Sequence, residues 1–228
     1  NKTILANKII YNDTSQLMSL IDNCNINEID RGISGNKIQI QYLDSLIQSA
    51  EVFDQASAYN DIWAIINKKQ KYRDTMFSQN LYSKFSNNKI NELTLFGMAS
   101  TSYHVLEDSI LKGLNNASGD TIKINFINDA MNRLQIFGGG QGKYTPKNNN
   151  NVDSTIIYKA DYIDYHIPDK KTFLDTNASV DYQDTYLASG YITADWKKNI
   201  LEVFKQDDSM PIVNTNNGDP LSGDYMEF

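Results

Sequence analysis

The stretch KIQIQYLDSLIQSAEVFDQASAYNDIWAII, residues 37–66, decides how the chain is read. Within it Leu43, Leu46, Ile47, Ala50, Phe53, Ala56, Tyr59, Ile62, Trp63 and Ile66 recur at three- and four-residue steps. That spacing lines one face of an α-helix. No proline interrupts it, since the four prolines stand at 146, 168, 211 and 220. On this reading 37–74 is one helix, roughly 57 Å long at 1.5 Å per residue. Phe77, Leu81 and Phe85 carry the pattern over 76–86.

Outward from there, Ile90, Leu93, Phe96, Ala99, Tyr103, Leu106, Ile110 and Leu114 repeat the helical spacing over 90–114. Asn115 to Gly119 follows as a C-cap-like stop. Gly97 weakens the middle of that helix by about 1 kcal/mol relative to Ala. Upstream, Asp13 or Thr14 is placed to N-cap a helix running to about residue 23. Downstream the period changes. Thr121-Ile122-Lys123-Ile124-Asn125-Phe126 alternates as a strand does, and 127–137 fits a returning strand better than a helix. Gly138 to Lys143 and Asn148 to Asn151 read as a loop or linker. Residues 155–167 are rich in β-formers. Thr193 caps a short helix over 194–204, and 207–228 forms an extended tail. The expected fold class is therefore α+β: a long-helix bundle (1–117), a β-rich insertion (118–192), and a short helix with an extended C-terminal arm (193–228), together one domain with an insertion.

Composition restricts function. The chain has 228 residues and a formal net charge of −7, and 22 of its 28 acidic residues are Asp. Such a surface repels nucleic acid and anionic lipid. The basic run Asn67-Lys68-Lys69-Gln70-Lys71-Tyr72-Arg73 reads as the solvated end of a helix. Cys24 is the one cysteine, which leaves no internal disulfide. No apolar run approaches the length of a membrane span, and residues 1–8 show no signal-peptide core.

Motifs argue against catalysis. Gly138-Gly139-Gly140-Gln141-Gly142-Lys143 is followed by Tyr144 where a phosphate loop needs Ser or Thr. Asp175 to Asp181 alternates oxygen side chains as calcium loops do, but Val180 and Tyr186 occupy the positions that need Gly and Glu. His104 and His166 are the only histidines. The expectation is no catalytic residue, no metal ligand and no cofactor. Two alternatives stay open: a hydrolase using Asp161 and Asp164, and a carbohydrate-binding surface built on Tyr158, Tyr162 and Tyr165.

An Asn-rich, Arg-poor, acidic chain of this kind resembles virion proteins of tailed bacteriophages. The order of 37–117, 120–167, 193–204 and 207–228 is similar to that of head–tail adaptors. That resemblance implies a structural protein in a ring beneath a portal, located in the virion; apart from it, the expected location is the cytoplasm, as no signal-peptide core or membrane span is seen. The resemblance also implies partner subunits of its own and neighbouring kinds. The tail residues Ile212, Val213, Leu221, Tyr225, Met226 and Phe228 are the expected partner-binding anchors.

Overall fold

The computed structural model describes residues 2–66, 68–128, 130–147, 155–215 and 218–228, with no side chains described at 65, 66, 68 and 69. The described residues contain no helix. They form sixteen strands: β1 (Thr3–Leu5), β2 (Lys8–Asn12), β3 (Leu17–Asn27), β4 (Arg31–Leu43), β5 (Leu46–Ile66), β6 (Lys68–Ser86), β7 (Lys89–Glu107) and β8 (Ile110–Ile127), then β9 (Ala130–Pro146), β10 (Ile156–His166), β11 (Lys171–Tyr182), β12 (Thr185–Asp195), β13 (Ile200–Phe204), β14 (Ile212–Thr215), β15 (Leu221–Ser222) and β16 (Tyr225–Glu227). From β3 to β13 each strand pairs antiparallel with the next in sequence, giving one meander.

Two local devices build this sheet. The first is the two-residue hairpin. Asp44–Ser45, Asn87–Asn88 and Asp108–Ser109 each hold two successive positive φ angles, 48° and 68°, 51° and 60°, and 50° and 64°. That is the geometry that joins twisted antiparallel strands directly, and Asp and Asn tolerate it. The second device is a bulge in mid-strand. Asp22–Asn23, Asp54–Gln55, Gly97–Met98, Gly138–Gly139 and Thr176–Asn177 carry paired positive φ angles on β3, β5, β7, β9 and β11. The pairing register shifts at each of them. Bulges bend a strand; five aligned across a sheet crease it into two arms.

The inner face of the crease is lined with small residues. Cys24 opposes Gly35, Ala56 opposes Ser78, Ala99 opposes Gly119, Gly140 opposes Ala160 and Ala178 opposes Ser189. A Cβ on Gly140 would lie 2.8 Å from Ile163 Cδ1, and one on Gly119 would run into Ile136. Beside this row an aliphatic ladder crosses the sheet: Leu20, Ile38, Val52, Leu81, Leu95, Ile122, Ile136, Ile163, Leu174, Ile192 and Val203 are cross-strand partners in turn. Each is at most 3% exposed, so this ladder is the spine of the buried core. Burying a side chain of this size contributes about 1.5–3 kcal/mol.

The expected α+β bundle is thus corrected to an all-β fold. Residues 13–23 fall largely in β3, 37–74 spans β4, β5 and the start of β6, 76–86 finishes β6, 90–114 is β7 with the start of β8, and 194–204 is a hairpin into β13. The false helical period has a physical cause. Inward residues of β5 run Ile47, Ala50, Val52, Ala56 and Ala58, because bulges insert steps of three and four between steps of two. Outward apolar residues such as Phe53 and Trp63 fill the remaining helical positions. The basic run is the start of β6 as far as it is described, and Asn67 and Asn148 to Asn151 lie outside the described residues. Gly138 to Lys143 belongs to β9, not to a loop, and Thr121 to Phe126 lies within β8. The tail is not a free arm: β14 pairs with β12 and β16 with β13. β8 and β12 run through the expected boundaries at 117/118 and 192/193.

Charged pairs decorate the arms. Arg73 Nε donates to Asp61 Oδ1 at 2.7 Å and its Nη2 to Oδ2 at 2.9 Å, while Lys71 Nζ sits 2.8 Å from the same carboxylate. Arg73, foremost, holds the Asp61 carboxyl down at about 2, against its ordinary 3.8. A depressed carboxyl stabilises the fold above its unfolded pKa, and that contribution disappears as pH falls through the folded value. Asp61→Asn should therefore lose on the order of 1–2 kcal/mol at neutral pH. The gap to wild type should shrink between about pH 4 and pH 2, read by urea unfolding across that range.

Candidate functional site

Glu107 closes β7 and Lys170 lies in the turn between β10 and β11, yet they form an ion pair. Register places Glu107 level with the start of β10, through β8 and β9. On a flat sheet the two residues would lie roughly 45 Å apart along the strands. The crease must therefore bring the two rows of turns face to face, with the inner surfaces of both arms enclosing a space between them.

That space is a lumen of about 930 Å³. One arm faces it with Ile40, Ala50, Leu93, Leu134 and Leu201, and nearer the mouth with Ile47, Phe85, Ile90, Phe126 and Met131. Ser83, Asn88 and Thr172 are polar members of this wall; the Ser83 hydroxyl donates to the Ala50 carbonyl at 3.1 Å, Asn88 Oδ1 accepts from the Ile47 N–H at 2.8 Å, and Thr172 Oγ1 accepts from Trp196 Nε1–H at 2.8 Å. The opposite arm contributes Ile26, Ile33, Ala58, Met76 and Val180, then a polar strip of Asn60, Asp74, Tyr103, Asn115 and Tyr144. Lys2, Glu28, Arg31, Glu107, Lys112 and Lys170 stand at the rim.

Most of the polar strip is hydrogen-bonded within the wall. Asn115 Nδ2 donates to the Tyr103 hydroxyl at 2.7 Å, and the Tyr158 hydroxyl donates to Asn115 Oδ1 at 2.9 Å. Tyr158 reaches Asn115 by laying its ring over Gly142, where a Cβ would collide with it. Burial pushes the Tyr158 phenol up to about 12 and that of Tyr103 well above its ordinary value. Asp74 accepts from the His104 backbone N–H at 2.8 Å and meets His104 Nδ1 at 2.8 Å. Burial nonetheless raises its carboxyl. These groups brace the wall; they do not assemble a nucleophile, a base and an oxyanion site.

The carboxylates singled out from sequence have separate duties. Asp164 is gripped by Arg133, with Nε at 2.8 Å, and by His166 at 3.2 Å, while Asp161 accepts from Asn177 at 2.8 Å. A hydrolase on that pair is withdrawn. Tyr158 is inside the fold, so the tyrosine surface for carbohydrate is withdrawn as well. The calcium-like segment is a strand crossing the crease. No group of His, Cys, Asp and Glu among the described residues could hold a metal ion.

Among the expected partner anchors, Val213 is buried on β14 and Met226 packs against the core from β16. Ile212, Leu221, Tyr225 and Phe228 are exposed by 42%, 60%, 48% and 44% and line one end of the sheet. Sequence reasoning missed the lumen because it placed Ile47, Ala50, Ile90 and Leu93 on helix faces, Ile26 and Ile33 in a loop, and Phe126, Leu134 and Tyr158 in β-structure with no face facing a cavity. No helix among the described residues is long and apolar enough to cross a membrane.

The geometry defines a class: a single creased antiparallel sheet, open at both edges, around an apolar lumen. No protein-family model matches the chain, and no curated protein matches it. Among solved structures it is similar to LptH of Pseudomonas aeruginosa, described as the LptA-homologous periplasmic component of a lipopolysaccharide transport device. Identity is 10%, with 99% of this chain and 94% of that one covered, at a TM-score of 0.23. The likeness to phage head–tail adaptors is withdrawn, since it rested on long helices where the structure has strands. The virion location, which came with it, and the cytoplasmic alternative are withdrawn too.

Proposed function

We propose that the chain is a non-catalytic binding protein that takes a long apolar chain, of the fatty-acyl type, into the lumen between its arms. The observation that carries this reading is the lumen itself. Its volume is at the upper end of small-ligand sites, its inner wall is aliphatic, and its polar groups are satisfied or confined to one strip and the rim. An aliphatic guest gains about 0.8 kcal/mol per buried CH₂. The test is a fluorescence displacement series with saturated fatty acids of increasing length on the whole chain. Affinity should rise roughly fourfold per added CH₂ over the first members, then level off when the lumen is filled. A flat series would sink the reading.

The C-terminal edge belongs to the same proposal. Exposed Ile212, Leu221, Tyr225 and Phe228, flanked by buried Val213 and half-buried Met226, would meet a neighbouring subunit, of the same or another kind. Unpaired sheet edges are templates for such pairing. Sedimentation over a concentration range reads that association.

A further inference from the structure

The lumen can be reached by two routes: through the open ends of the sheet, or sideways through the seam where the two rows of turns meet. We propose that the seam is the entry route and that the Glu107–Lys170 ion pair is its clasp. The inference rests on the lumen reading for its ligand. For the clasp itself it rests on geometry alone.

Glu107 stands on one lip and Lys170 on the other. Backbone pairing does not join the lips: the hydrogen-bonded path through the sheet runs the long way round, through β8, β9 and β10. Both partners are about two-fifths exposed, at 41% and 38% of their side chains. Lys112, on the same lip as Glu107, holds the other carboxylate oxygen at 3.1 Å and keeps it aimed at the seam. A contact of this kind is weak. It resists opening by a few-fold, not by orders of magnitude, which suits a gate better than a staple. Behind it lie Val105, Leu106 and Ile167, lumen-lining residues that a parted seam would present to an entering chain.

The test uses the full chain in a Cys24→Ala background with Glu107→Cys and Lys170→Cys. A short, reducible bis-methanethiosulfonate linker ties the lips. The probe is a hexadecanoic acid carrying an environment-sensitive fluorophore, and the readout is stopped-flow uptake. Tying the lips should slow uptake at least tenfold, and reduction should restore it. Separately, Glu107→Gln should speed uptake roughly two- to fivefold, the range open to an exposed ion pair, and high salt should erase that difference. Glu92→Gln, which removes a carboxylate paired with Lys84 and Lys123 outside the lumen, serves as the charge-matched control and should change nothing. Undiminished uptake by the tied protein overturns the proposal in favour of entry through the sheet ends. Failure of the lumen reading looks different: wild type and variants alike would take up no probe. The clasp is then still decided without ligand, by spin labels at Ser109 and Asp169. Their separation should lengthen or broaden in Glu107→Gln, and an unchanged distribution would refute the clasp.

Discussion

Ala58→Trp is expected to weaken binding of a long-chain fatty acid at least tenfold while leaving the sheet intact. Ala58 stands in the lumen wall between its cross-strand partners Ile33 and Met76. It is only partly buried, so its methyl already borders open space. An indole there projects into the lumen and takes up volume that a guest chain would otherwise fill. Each CH₂ displaced costs the ligand about 0.8 kcal/mol, so excluding two lowers affinity more than tenfold. Because the new ring enters a cavity and not a packed layer, thermal stability should change little. Titration with a C16 acid beside a thermal melt separates the two effects. Loss of binding together with loss of the fold would show that Ala58 belongs to the core instead, and unchanged binding would place the ligand elsewhere.

The second large effect concerns the core. Ile136→Ala should destabilise the chain by roughly 2–5 kcal/mol, lowering the melting temperature by roughly 10 °C. Ile136 is fully buried and pairs with Ile122 on one side and Ile163 on the other. Its Cγ2 also fills the spaces over Gly119 and Gly140 on the inside of the crease. Truncation thus opens a cavity where ladder and crease meet, with glycine backbone on the far side unable to refill it. The prediction is checked by urea unfolding. A loss below about 1 kcal/mol would mean that the arms can close over the gap, and that the crease is softer than its packing implies.

Much of this was present in the sequence in a form that the helical reading concealed. Ile38, Ile40 and Tyr42 alternate before Asp44–Ser45, as Ile122, Ile124 and Phe126 do before Asn128. Those alternations are strand signals, but each is short. The bulges between them add two residues, so that Val52 is followed inward by Ala56, and a period of two reads as three to four. The signal that would have resolved this is the repeat. Phe53 and Ala56, Phe96 and Ala99, and Phe137 and Gly140 share one pattern, an aromatic residue outside and a small one inside a two-residue corner. They are spaced by 43 residues (96 − 53) and then 41 (137 − 96). The turns at Asp44, Asn87 and Asn128 keep the same spacing, 43 (87 − 44) and 41 (128 − 87). The lumen was harder to foresee. Whether Leu93 faces a filled core or a space depends on how far the crease closes, and a long-range contact such as Glu107–Lys170 sets that, not a local pattern.

The central claim is that the apolar chain lies between the arms and not on the outer face. The outer face offers a rival, a trough of about 480 Å³ bordered by exposed Phe77 and Ile157. A fatty acid with a terminal diazirine, irradiated in complex with the full chain and mapped by peptide mass spectrometry, tells the two apart. The account predicts adducts on Leu93, Met131, Leu134 and their lumen neighbours. Adducts concentrated on Phe77, Ile157 or the outward Phe96 and Phe137 would contradict it.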